Sequence, residues 1–89
     1  MSAMMIINAV GFPLQVPMTI IHEGKQTTAP IYFDDIVKHA TSVATEYGLN
    51  KVLLVGTPEL LEPIADEARE VLCYSNNNIE IEVIEGWNI

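Results

Sequence analysis

Four carboxylates in the second half of the chain, Glu59, Glu62, Asp66 and Glu70, follow one another at spacings of three, four and four. On a helix that spacing makes a single stripe, with neighbouring acids ~6 Å apart. A row of negative charge at that pitch could imitate a line of phosphates and occupy a basic nucleic-acid-binding groove on another protein. The plainer reading, a solvated helix face that keeps the protein in solution, carries more weight.

Other candidate chemistry is sparser. Gly56-Thr57-Pro58-Glu59 stands where a strand gives way to a helix, the place at which open α/β sheets bind ligands. Its one glycine and the adjoining Glu59 and Glu62 suit a phosphate poorly, so Thr57 is read as a helix N-cap. Gly24-Lys25 lacks the preceding glycine four residues back that a phosphate-cradling loop needs. Asp35 and His39 lie four apart and could share a metal or a hydrogen bond, but no third ligand is near in sequence. His22 reads as a rim or core histidine. Cys73, with no cation close by in sequence to lower its pKa, reads as packing rather than as a nucleophile. No ordered Ser, His and Asp set and no glycine-flanked serine occurs. We therefore expect no enzyme, and neither cofactor nor metal.

Charge narrows the partners. The net charge is −8, and it is unevenly spread: residues 1–58 carry −1 and residues 59–89 carry −7. Such a field repels nucleic acid and anionic lipid and favours a basic partner. Direct nucleic-acid binding is not expected. One cysteine permits no intramolecular disulfide, the N-terminus has no basic region of a signal peptide, and no apolar run approaches the ~20 residues that span a bilayer. These features predict a cytoplasmic protein with no membrane association.

The elements that would position these residues follow from periodicity. Met4 to Val10 and Leu14 to Ile20 read as strands around the turn at Gly11-Phe12-Pro13, and Pro17 argues that the second lies at a sheet edge or is bulged. Glu23 to Pro30 is polar, holds a glycine and a proline, and reads as the longest loop. A helix starts near Asp34, buries Ile36, Val37, Ala40, Val43, Ala44 and Tyr47, and ends at Gly48 in a left-handed C′ position followed by Leu49. Val52 to Val55 is an apolar strand. The next helix, opening on Pro58, buries Leu60, Leu61, Ile64, Ala65, Ala68, Val71 and Leu72, with a kink or restart at Pro63. Ile79 to Ile84 is a strand whose second face, with Glu80 and Glu82, is partly wet.

The expected fold is a single α/β (α+β) domain over 1–89, β-β-α-β-α-β, with a mixed four-stranded sheet, an N-terminal antiparallel hairpin and two crossover helices. If both helices cover one face, the other keeps apolar residues for a partner, and 49% apolar residues in so short a chain agrees with that. We expect a small acidic non-enzymatic protein acting by protein–protein contact, as a homo-oligomer (dimer) or with another, possibly basic, protein in an adaptor, regulator or accessory role. Val10, Trp87 and Ile89 are the expected oligomer contacts. The alternatives are an inhibitor or nucleic-acid mimic using Glu59, Glu62, Asp66 and Glu70, and a small-ligand domain at Gly56 to Glu59.

Overall fold

The computed structural model describes residues 3–11 and 13–86. Five strands form one mixed sheet: β1 (Met4–Asn8), β2 (Gln15–His22), β3 (Lys25–Tyr32), β4 (Lys51–Gly56) and β5 (Glu80–Glu85). Their spatial order is β3-β2-β1-β4-β5. β1 pairs antiparallel with β2 and parallel with β4, and β4 pairs parallel with β5. The β1–β2 hairpin and the two crossover helices are thus as the sequence predicts, although only the second crossover joins neighbouring strands; the first joins β3 to β4, which β2 and β1 separate.

The fifth strand corrects the reading of Glu23 to Pro30 as a loop. Glu23 and Gly24 have φ of 52° and 78°, the two left-handed residues of a type I′ turn, whose twist matches a tight hairpin. The chain reverses at once, and His22 faces Lys25 across it. Beyond the turn, Thr27, Ala29 and Ile31 point to the face that Ile20, Met18 and Val16 occupy. This hairpin also moves β2 from the edge to the interior, against the argument from Pro17. Pairing between β1 and β2 reaches only Ile7 and Met18, so the missing N–H of Pro17 falls where the β1 ladder has ended. Pro30 is harmless for a different reason: its missing donor faces the free edge of β3.

The first helical segment, residues 33–46, is irregular. A 3-10 turn (Phe33–Asp35) leads into an α-turn (Ile36–Lys38), a π-helical stretch (His39–Val43) and a last α-turn (Ala44–Glu46). Thr41 lies in this wide turn, and its buried hydroxyl donates to the carbonyl of Val37 at 2.8 Å, a back-bond that bends helices. One extra residue in the turn rotates the remainder of the segment about its axis. Ile36, Ala40, Thr41 and Ala44 are buried, whereas Tyr47, expected on the buried face, is exposed. The C-terminus is as predicted. Gly48 has φ of 65°, its N–H donates to Thr45 at 3.1 Å and that of Leu49 to Ala44 at 2.9 Å, the paired bonds of a Schellman cap.

The second helix runs unbroken from Pro58 to Tyr74 and passes through Pro63 without restarting. Pro63 and Glu59 both lie on the exposed side, so the carbonyl that loses its partner faces water. Leu61, Ala65, Ala68 and Leu72 are buried and Ile64 is partly so, while Leu60 and Val71, expected in the stripe, are exposed.

The core is one layer deep. Met5, Ile7, Val16, Met18, Ile20, Val52, Leu54 and Ile81, all on one face of the sheet, pack with Ile36, Ala40 and Ala44 of the first helix and Leu61, Ala65, Ala68 and Leu72 of the second. Both helices therefore cover the same face.

Candidate functional site

The opposite face of the sheet follows from the strand registers. Reading across from β3 to β5, its first row is Gln26, Ile21, Met4, Lys51 and Glu80, and the second is Thr28, Thr19, Ile6, Leu53 and Glu82. Below them, Asn8, Val55 and Ile84 stand in line on β1, β4 and β5. Among the described residues no helix lies over this face. Met4, Ile6, Ile21, Leu53 and Val55 are only partly buried, by their neighbours in the sheet, and Ile84 is exposed.

These six side chains form an apolar ridge along β1 and β4, with Ile21 and Ile84 at its sides. Strands lie ~4.8 Å apart, so the span from β2 to β5 is roughly 14 Å, wide enough to seat an α-helix or a second sheet. Its flanks are polar. On one side the Thr19 and Thr28 hydroxyls lie 3.0 Å apart. On the other, Lys51 Nζ meets Glu82 at 2.9 Å, and that hydrogen bond raises the lysine pKa. An apolar centre with a polar rim is the composition found in protein contact surfaces.

Of the expected oligomer contacts, Val10 is partly buried and its Cγ2 would lie 2.6 Å from a Cβ added to Gly86, so it packs at the end of β1 against the chain leaving β5. Trp87 and Ile89 lie outside the described residues. Glu59, Glu62, Asp66 and Glu70 are all exposed on the second helix, as the spacing predicts. Asp66 is paired with Arg69 at 2.9 Å.

The strand-to-helix turn has a structural explanation. A Cβ on Gly56 would come within 2.9 Å of Leu61 Cδ1 and 3.1 Å of the Ala9 carbonyl, so glycine is there to let β4 pass under the second helix. Thr57 has the extended backbone of an N-cap, and its carbonyl accepts from Leu60 and Leu61 at 3.1 and 3.0 Å, but its hydroxyl makes no capping bond. That corrects the expected side-chain role.

His39 and Asp35 meet through a backbone group: His39 Nδ1–H donates to the Asp35 carbonyl at 3.1 Å. Burial lowers the His39 pKa, opposed by the nearby Asp35 carboxylate and aided by Lys38. Among the described residues no group of three His, Cys, Asp or Glu could hold a metal. His22 packs edge-on to Tyr47, ring centres 6.2 Å apart, beside a cleft of about 200 Å³ that Ile20, Glu23, Lys25 and Thr27 also line. Cys73 is exposed rather than packed, on a shallow groove with Arg69 and Asn76 to Asn78. Among the described residues no helix is long and apolar enough to cross a membrane.

The helix-free face was legible in the sequence as a surplus of apolar residues. Its location needed the registers. Periodicity missed Arg69, whose Nε and Nη2 donate to the Ile81 carbonyl at 3.3 and 2.8 Å; a lone cation among the acids of the second helix was the available signal.

No protein family and no curated protein matches the chain. Among solved structures it is similar to an uncharacterized protein with similarity to peptidase YEAZ from Pseudomonas aeruginosa, at 8% identity and a TM-score of 0.56. The match covers 96% of this chain and 44% of that one. The chain thus spans less than half the length of that structure, and the likeness is one of fold.

Proposed function

We propose that this is a non-enzymatic protein that works through protein–protein contacts made by the helix-free face of its sheet, in an adaptor, regulator or accessory role. The observation that carries the reading is the apolar ridge of Met4, Ile6, Ile21, Leu53, Val55 and Ile84, set between the threonine pair and the Lys51–Glu82 pair. Burying such a ridge contributes roughly 25 cal/mol for each Å² removed from water, and the polar flanks give the contact its register. One exposed thiol without a disulfide agrees with a cytoplasmic setting.

The test is a substitution at the centre of the ridge. Leu53→Lys places a cation beside Glu82, where the sheet tolerates it, and removes the apolar contact. We expect the chain purified from its native cell to bring a bound protein, and Leu53→Lys to lose it while remaining folded. Retention of the bound protein by Leu53→Lys overturns the reading.

A second reading, inhibition of a protein with a basic groove, is favoured by the exposure of Glu59, Glu62, Asp66 and Glu70 on one helix. In that case Glu62→Lys with Asp66→Lys abolishes partner binding, and affinity falls steeply between ~50 and ~500 mM salt.

A further inference from the structure

The two edges of the sheet are built differently. At the β5 edge, Glu80 donates inward to the Asn50 carbonyl, so the groups of Ile81 point outward, and Arg69 of the second helix takes that outward carbonyl. Glu80, Glu82 and Glu85 add three acids within six residues. This edge is blocked by a side chain and by charge.

The β3 edge carries no such block. Since His22 and Lys25 close a two-residue turn, the N–H and C=O groups of Lys25, Thr27, Ala29 and Ile31 face β2, and the inward bond from Phe33 to Leu14 continues the alternation. The groups of Gln26, Thr28, Pro30 and Tyr32 therefore face outward. From Gln26 to Tyr32 the strand holds no charge, and every residue but Ile31 is exposed. Pro30 limits the edge, because its ring stands where a partner strand's carbonyl would have to come. The Glu23-Gly24 turn limits it at the other end. Gln26 and Thr28 remain, with two donors and two acceptors.

We propose that two copies of the chain join along this edge, β3 antiparallel to β3 about a twofold axis at Thr27, into one continuous sheet. In that register Gln26 of each copy exchanges both backbone bonds with Thr28 of the other, four bonds in all. Neither Pro30 takes part, and no outward group between the turn and the proline is left over. The two Thr27 side chains stand opposite each other at the axis, a favourable cross-strand pair.

The outward groups of Gln26 and Thr28 are self-complementary, which favours a second copy as the occupant, and charge does not oppose it. Of the net charge of −8, −7 lies in residues 59–89, whose charged side chains are carried by the second helix and by β5 at the far end of the sheet. Joining at β3 sets the two β5 strands nine strand spacings apart, about 43 Å, several screening lengths at physiological salt. This inference goes beyond the proposed function, because it uses a strand edge and not the open face.

The experiment is sedimentation velocity on the full chain from ~5 to ~500 μM, with amide exchange at both ends of the range. We expect the mass to rise from 9.8 kDa towards twice that value, and the Gln26 and Thr28 amides to become protected as it does. Thr27→Lys, which sets two like charges across the axis on an exposed position, and Thr28→Pro, which removes a donor, each weaken the dimer at least tenfold. Circular dichroism checks the fold of each, and Thr27→Lys carries the test if Thr28→Pro is not folded. A wild-type chain that stays at 9.8 kDa at ~500 μM, or a dimer indifferent to Thr27→Lys, overturns the inference. A dimer lost in Leu53→Lys but kept in Thr27→Lys also overturns it, and assigns self-association to the open face instead.

Discussion

The two faces of this sheet are made from the same strands, one residue out of step, and they have opposite fates. Met5, Ile7, Val52 and Leu54 are fully buried beneath the two helices. Met4, Ile6, Leu53 and Val55, their immediate neighbours in β1 and β4, are only partly covered. Hydropathy does not separate the two sets, since each is wholly apolar. What separates them is that both crossovers return on the same side, which leaves one layer of core and one uncovered sheet. An uninterrupted apolar strand is usually evidence for cover on both faces; here the second cover is not supplied by the described residues of the chain itself.

The largest expected effect breaks the comparison at adjacent residues. Leu54→Ala opens a cavity beneath the helices and should cost about 3 kcal/mol, whereas Leu53→Ala should cost about 1 kcal/mol or less in the monomer. Urea unfolding of the two variants measures the difference, and equal losses would mean that the open face is covered after all. Next in size is Gly56→Ala. Its added methyl meets Leu61 and the Ala9 carbonyl, and overpacking of this kind costs about 2 kcal/mol. An unchanged midpoint would show that β4 and the second helix are not so closely apposed.

The smallest effect concerns pH on the covered side. Burial holds the His39 pKa below its ordinary value of 6.5, so the folded state binds the proton less readily than the unfolded one. The contribution is fully present above pH 6.5 and is lost as pH falls from there through the lower, folded value. Stability should therefore decline on acidification below pH 6.5, and His39→Gln should flatten that part of the curve. A wild-type curve that rises over the same interval would contradict the burial of this ring.

Much of the fold was legible in local pattern because its causes are local. Gly48 and Leu49 announce the end of the first helix, since a left-handed C′ residue with an apolar follower is a short-range device. Pro58 opens the second helix for the same kind of reason. The acidic row of Glu59, Glu62, Asp66 and Glu70 is exposed because a spacing of three and four fixes a helix face wherever the helix lies. Where the reading failed, the pairing of particular groups decided, even at short range. Thr41 is buried and Tyr47 is not because the π-helical stretch His39–Val43 turns the helical faces away from a 3.6-residue period. Lys25 to Tyr32 is a strand although Gln26 to Thr28 is polar, because β2 offers it a complete ladder.

By itself the sequence determined the strand and helix order from the first helical segment onward, the acidic bias of residues 59–89 and the surplus of apolar side chains, all of which depend on residue type and near-neighbour spacing. Only the tertiary structure decided that β2 is interior, that both helices share one face, and that β5 has its edge carbonyl taken by Arg69 while β3 keeps its edge open. Those outcomes depend on which elements become neighbours, and the energy of pairing two segments leaves no periodic trace in either one alone.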